Sequence, residues 1–565
     1  MRERLGVTIP EVDGRDLPRL LGFAIAFVVL TAGVPLIYLT QPLHFDEAIW
    51  LVIADRMADG SVLYGDVYDH KPPAIFYLTF AVEQFVTTFE QQLGFLAYGD
   101  SATPYGLTVY VLRLLTYGVV AITGMVVYVL GKRIDDSTTG MIASLVFVSS
   151  MYLPHFVGFY FLTEPWAILT TVVAAILLLD TRSRSDVLAG AALGVGVMFN
   201  QTVFLFGLAF VVFRALQFRY HRGGVRSFVM ESMRRFGTIG AGFLLPVSAV
   251  LLFFYSRGLL TELLYFTVYV PLITYSPPFS IHGRILAFLS IIPIWILSVG
   301  MIVWVTTRVA YGHELATLIS GSGYRDGGGP TIPEGLLFVS LWAVFISYPG
   351  LTGFDAQHQL LFVFAPIAVL AAIGARRILD LLVGSGSGSN TRSGSGSNAR
   401  SESRSNTIAW SPTVTGVVVV GLLLTVFVAA GFNGVYASNI LGGSMDDQVE
   451  QSHEVDEKVE GVAYTWVPQQ NHLYYFGEGI EPAPTYFMTV YSQPVSDRVI
   501  EDIERAETEY LVVSETQVDD EGYIVAERSK WFAEEKAELV EYLNEHYRPE
   551  DETDEYVIFE LEDAY

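Results

Sequence analysis

Directly after an apolar stretch long enough to cross a bilayer, residues 44–78 read HFDEAIWLVIADRMADGSVLYGDVYDHKPPAIFYL. Asp46 and Glu47 stand side by side, and Lys71 precedes the pair Pro72-Pro73. A carboxylate can take a proton from a hydroxyl, and an ammonium can balance a developing anion. The same acids can simply cap a helix, because they fall in the first turn of DEAIWLVIADRMADG, where the helix dipole favours negative charge. Taken locally, both readings stand.

The spacing of Ala48, Leu51, Val52 and Ala54 predicts a helix that ends at Gly60 and lies along a membrane surface. A second helix is expected at KPPAIFYLTFAVEQF, with its prolines in the first turn. Asp55, Asp59, Asp66 and Asp69 read as solvated-face and turn residues. Further along, Glu164 in FYFLTEPWAIL opens an apolar segment, with Thr163 as its expected cap and Pro165 in the first turn. Asn200-Gln201 closes GVGVMFNQ, and His358 opens HQLLFVFAPIAVLAAIG. Arg257, His282 and Arg284 flank a Pro-rich aromatic loop and can anchor at an interface or bind a phosphate.

These segments need a scaffold, and composition names it. The chain has 565 residues, 52% of them hydrophobic and only 16% charged, against about a quarter charged in soluble proteins. That predicts a mainly α, polytopic membrane bundle of about eleven spans. They are expected near 18–39, 106–130, 138–157, 162–180, 186–199, 201–216, 236–256, 284–306, 334–348, 358–375 and 412–432. Basic residues cluster at Arg2 to Arg19, Lys132-Arg133, Arg182 with Arg184, Arg214 to Arg235 and Arg376-Arg377. The positive-inside bias places all of them in the cytoplasm, with the N-terminus. Loop 40–105 and the C-terminal region then lie outside a multi-pass cell-membrane protein.

Residues 1–383 are expected to form the membrane region and 384–411 a Gly/Ser-rich cytoplasmic linker. After the last span, 433–565 reads as a small extracellular α/β domain, with helices in SDRVIEDIERAE and SKWFAEEKAELVEYLNEHY and strands in EYLVVSE and EYVIFEL. Residues 446–565 hold 33 Asp+Glu against 7 Lys+Arg, which is the whole of the net charge of -26. Such acidity suits a surface hydrated in high salt, hence a halophilic source, and excludes nucleic acid as a partner. The absence of cysteine excludes disulfides and thiolate metal sites.

The acidic pair after the first span, a helix, Gly-x-x-Tyr and then Lys-Pro-Pro opening another helix resemble the GT-C superfamily of membrane glycosyltransferases. The likeness is to its protein mannosyltransferase-like and lipid A aminoarabinose transferase-like branch. It implies that Asp46, with Glu47 beside it, is the catalytic base, that Glu164 is the second acidic motif, and that Lys71 faces the donor phosphate. His358 aligns with a helix-start histidine and, with Arg284, would help bind that phosphate. Where relatives often carry a lysine, this chain has Asn200-Gln201. The implied donor is a polyprenyl-phosphate sugar such as a dolichyl phosphate sugar, held in membrane lipid. The implied acceptor is a lipid-linked glycan or a surface glycoprotein, and the reaction inverts the sugar. The paired acids could also hold Mg²⁺ or Mn²⁺, although nearby branches work without an evident metal.

Asp46, Lys71, Glu164, Asn200 and His358 all fall at external span ends in a map drawn from Lys and Arg alone, which predicts one shared site. The alternatives are a multi-spanning transporter and an envelope scaffold. A transporter's ionisable groups sit near the bilayer midplane, often within internal repeats, and neither is visible here. An oligosaccharyltransferase of the same superfamily would carry Trp-Trp-Asp-Tyr-Gly in its soluble domain, and this C-terminal region lacks it.

Overall fold

A computed structural model describes residues 17–93, 105–180, 182–218, 224–274, 292–311, 334–348, 357–384, 445–459, 461–465, 472–477, 480–482, 493–525 and 537–562. The expected last span and the Gly/Ser-rich linker lie outside the described residues.

The helical part runs α1 Leu17–Leu36, α2 Phe45–Ala58, α3 Ala74–Leu93, α4 Tyr105–Ile134, α5 Ser137–Met151 and α6 Thr163–Leu178. It continues with α7 Ser183–Val197, α8 Val203–Gln217, α9 Gly224–Ser256, α10 Ile292–Tyr311, α11 Glu334–Ile346 and α12 Leu361–Gly384. Ten of the expected spans therefore coincide with helices. Among the described residues only four, Leu17–Leu36, Leu107–Ile134, Gly224–Ser256 and His358–Ile378, are both long and apolar enough to cross a membrane. The others are shorter apolar helices, so the expected count of about eleven is not reached by length alone.

From Leu361 to Ala375, α12 is apolar all round and buried, as a central helix must be. It packs against α5, α6, α10 and α11. α9 is the opposite case, long and exposed along nearly its whole apolar length. It is held mainly by α7, whose glycines let two backbones touch. A Cβ at Gly190 would strike the Ile239 carbonyl, and one at Gly242 the Val187 carbonyl. Small residues at such crossings are how helices associate where lipid offers no hydrophobic drive.

The C-terminal region folds around a five-stranded mixed sheet of order β2-β1-β3-β5-β4. Its strands are β1 Gly461–Thr465, β2 Ile480–Pro482, β3 Tyr510–Ser514, β4 Tyr547–Glu552 and β5 Tyr556–Leu561. β2, β1 and β3 run parallel, and β5 pairs antiparallel with both β3 and β4. The helices are α13 Met445–Asp456, α14 His472–Phe476, α15 Gln493–Arg505 and α16 Ala537–His546. Alternation along β3 divides the two faces. Leu511 and Val513 pack with α15 and α16, whereas Val512, with Ala463 and Ile558, joins Met445, Leu473 and Phe476 in the core cluster that also holds the bundle.

α2, expected to lie along a membrane surface, is buried by the protein itself on every side from Asp46 to Ala54, packed between α3 and α14. Its end at Gly60 is as expected, with φ +104 in the left-handed region that glycine tolerates.

Candidate active site

The site forms at one end of the bundle, where α1 leads into α2, α5 into α6 and α7 into α8, and where α12 begins. Asp46, Glu47, Lys71, Glu164, Asn200 and His358 are all buried there. His358 Nε2 lies 4.0 Å from Asp46 Oδ2 and 3.9 Å from Glu164 Oε1, so one imidazole bridges two carboxylates more than a hundred residues apart. The Lys71 ammonium is within Coulombic reach of Asp46, Glu164 and His358. Arg284 and His282 lie outside the described residues.

Local structure explains each placement. His44, not an acid, is the N-cap of α2: its Nδ1 accepts from the Asp46 N–H at 3.3 Å, and Glu47 Oε2 accepts from the His44 N–H at 3.1 Å. Glu47 is further engaged by Arg113 Nη2 at 2.7 Å, Arg113 Nε at 3.2 Å and the Phe161 N–H at 2.7 Å. Its lone pairs are therefore fully taken, while Asp46 beside it keeps its carboxylate toward His358. At α6 the cap position is Leu162, with no side-chain cap, and Thr163 is already helical. The Asn200 amide instead donates to Thr163 Oγ1 at 3.0 Å and Glu164 Oε1 at 3.1 Å. Gln201 donates to the carbonyls of His70 and Thr267 at 2.9 and 3.0 Å. The pair that replaces the relatives' lysine thus holds Glu164 and the Lys71 loop in place.

Asp55, Asp59 and Asp66 are exposed, as expected. Asp69 is not: it is buried and accepts from the Lys71 N–H at 2.8 Å, with His70 Nδ1 at 3.2 Å. The Tyr64 hydroxyl donates to the Lys71 carbonyl at 2.6 Å. Together they fix where the lysine emerges. Burial pushes the Asp69 carboxyl up to about 7, although the Lys71 N–H and ammonium act against it. Burial likewise raises Asp46, with His358 and Lys71 pulling it back. His44 and His70 are driven well below the ordinary histidine value by burial, so both are neutral at pH 7.

Arg113 is the functional residue that reading the sequence missed. It is fully buried, pairs with Glu47 and lies 5.0 Å from the Tyr160 ring centroid. The signal was a lone arginine inside an apolar span, a placement rarely without purpose. Among the described residues no group of three or more His, Asp or Glu is arranged to hold a metal ion. The cation within Coulombic reach of Asp46 and Glu164 is Lys71.

No family model matches the sequence, and no curated protein does. Solved structures do. ArnT from Cupriavidus metallidurans, bound to undecaprenyl phosphate, aligns with a TM-score of 0.53 at 12% identity over 95% of this chain and 98% of that one. The Archaeoglobus fulgidus oligosaccharyltransferase in its apo form gives 0.52 at 12% identity over 88% of this chain and 69% of that one. An oligosaccharyltransferase AglB from Archaeoglobus fulgidus, in complex with an inhibitory peptide and a dolichol-phosphate, gives 0.51 at 10% identity over 89% and 69%. At such identity the likeness speaks for architecture, and it covers nearly the whole length. The chain has the fold shared by ArnT and the archaeal oligosaccharyltransferase.

Proposed function

We propose that this protein transfers one sugar from a polyprenyl-phosphate donor, such as a dolichyl phosphate sugar, to a hydroxyl of a lipid-linked glycan or surface glycoprotein outside the cell. The observation that carries the reading is the meeting of Asp46, Lys71, Glu164 and His358 from four separate segments at one end of the bundle. The opposite end carries Lys132, Arg133, Arg235 and Arg376, which by the positive-inside bias is the cytoplasmic one.

In the proposed step the acceptor hydroxyl attacks the anomeric carbon from the face opposite the phosphate. Asp46 takes its proton, the new glycosidic C–O bond forms, and the bond from the anomeric carbon to the phosphate oxygen breaks with inversion. The lipid phosphate leaves with the bonding pair, and Lys71 faces the charge that develops on it. Glu164 orients the incoming hydroxyl beside Asp46, and His358 helps Lys71 bind the donor phosphate. Glu47, fully engaged by Arg113 and two backbone N–H groups, positions the base and does not react. The raised affinity of Asp46 for a proton makes it a stronger base, so transfer is expected to fall on acidification above the ordinary carboxylate range.

Mass spectrometry of lipid-linked and protein-linked glycans in a deletion strain tests the reading. Glycans shortened by one terminal sugar are expected, and an unchanged glycan profile refutes it.

A further inference from the structure

The base sits two residues into α2, so its position depends on how residues 38–44 enter that helix. Every carbonyl of this stretch has a partner. Arg113 donates to the carbonyls of Tyr38 at 3.5 Å, Leu39 at 2.9 Å, Gln41 at 2.7 Å and Pro42 at 2.9 Å. The His44 carbonyl accepts from Ala48 N–H within α2. The two that remain are held from the far end of the chain. The Met445 N–H donates to the Thr40 carbonyl at 3.3 Å, and Gln448 Nε2 donates to the Leu43 carbonyl at 3.3 Å. Gln448 Oε1 also accepts from the Leu43 N–H at 2.6 Å.

We infer that α13 of the C-terminal region is the second half of a clamp on the base-bearing segment, and that Gln448 is a positioning residue for catalysis. Arg113 grips residues 38–42 from inside the bundle, and α13 grips Thr40 and Leu43 from outside it. Apolar packing backs the polar contacts: Met445, Val455, Leu473 and Phe476 are buried in one cluster with Leu43 and Trp50. A buried N–H or C=O left without a partner is costly, and a catalytic group must be held to within about 0.5 Å of its working geometry. The acidic region is therefore part of the catalytic apparatus through its first helix, whatever else its surface does. The kinetic part of this inference rests on the function proposed above; the clamp itself does not.

Purified full-length wild type is compared with Gln448→Leu, which keeps the bulk and removes both hydrogen bonds, and Gln448→Glu, which keeps the acceptor for the Leu43 N–H. Two quantities are read: sugar transfer from a synthetic polyprenyl-phosphate sugar, and amide hydrogen exchange along the chain. Gln448→Leu is expected to lower kcat about tenfold, consistent with misplacement of a reacting group, with the donor KM unchanged. It should lose protection at residues 39–45 while α6 and α7 keep theirs, and Gln448→Glu should recover part of both. A kcat within twofold of wild type overturns the inference, as does protection lost throughout the bundle or nowhere. If wild type transfers no sugar, the proposed function fails, and the exchange result alone decides the clamp: local loss at 39–45 upholds it and unchanged protection overturns it.

Discussion

The two ends of the helical bundle use charge in opposite ways. At the end away from the site, several cations are matched by anions. Arg235 pairs with Asp186 at 2.9 Å and caps the carbonyls of Leu178 and Asp180, Arg376 pairs with Asp135 at 3.1 Å and also with Asp136, and Arg214 pairs with Glu231 at 3.3 Å. At the site end, His358 stands 4.0 Å from Asp46 and 3.9 Å from Glu164, and all three lie in the field of one lysine. Matched pairs close off chemistry. Asp46, by contrast, keeps its carboxylate unmatched beside Glu164 and a single lysine, and buried like charges of this kind collect where catalysis needs shifted proton affinities. The same logic divides neighbours within the site: Glu47 is matched by Arg113 and Asp46 is left open.

Breaking the contrast at its centre should have the largest effect. Asp46→Asn is expected to reduce transfer by about 10³-fold or more, the scale of a lost general base, with normal expression and thermal stability; retention of more than a tenth of the activity removes Asp46 from the role. Arg113→Met should act on stability first. It leaves Glu47 buried and unmatched, at a cost of about 3–5 kcal/mol, visible as a lowered melting temperature. Combining it with Glu47→Gln should restore part of the loss, and failure to do so would show that the pair is not what Arg113 supports.

Lys71→Met should lower kcat by about 10²-fold, the order seen when one donor to a developing anion is lost, without a matching fall in stability. Asp69 sharpens the contrast by pH. Its folded-state value of about 7 stands above the ordinary 3.8, so the unfolded chain releases the proton first. Stability is then lost as pH rises from about 4 to about 7 and stays level above that. Asp69→Asn should flatten that window in urea titrations at several pH values. The smallest effect belongs to the matched end: Arg376→Ala should change stability by no more than about 1 kcal/mol and leave kcat untouched. A large kinetic effect there would undo the division between the two ends.

Asp46, Lys71, Glu164 and His358 could be found in the sequence because each sits at a helix start that local composition marks, and because motif and charge bias sent them to one end. What could not be found depended on distance along the chain. Asp69 reads as a turn residue until folding encloses it. Glu47 looks identical to Asp46 in the sequence, and only Arg113, 66 positions away, tells them apart. The strands β3 and β5 follow from alternation of Val, Ile and Phe, whereas β1, β2 and β4 are short or charged and carry too little pattern to declare themselves. Ten helix positions were legible from apolar runs, but helix length was not, because packing around α12 lets neighbours such as α5 and α11 remain short.

Leu43 and Gln448 lie 405 positions apart. During synthesis, the turn that carries the base emerges with the first tenth of the chain, and its final partners arrive only after most of the remainder has been translated. A ribosome-bound nascent chain would therefore hold an unfinished turn while the intervening helices are made, and both halves of its grip could close only once α13 had emerged.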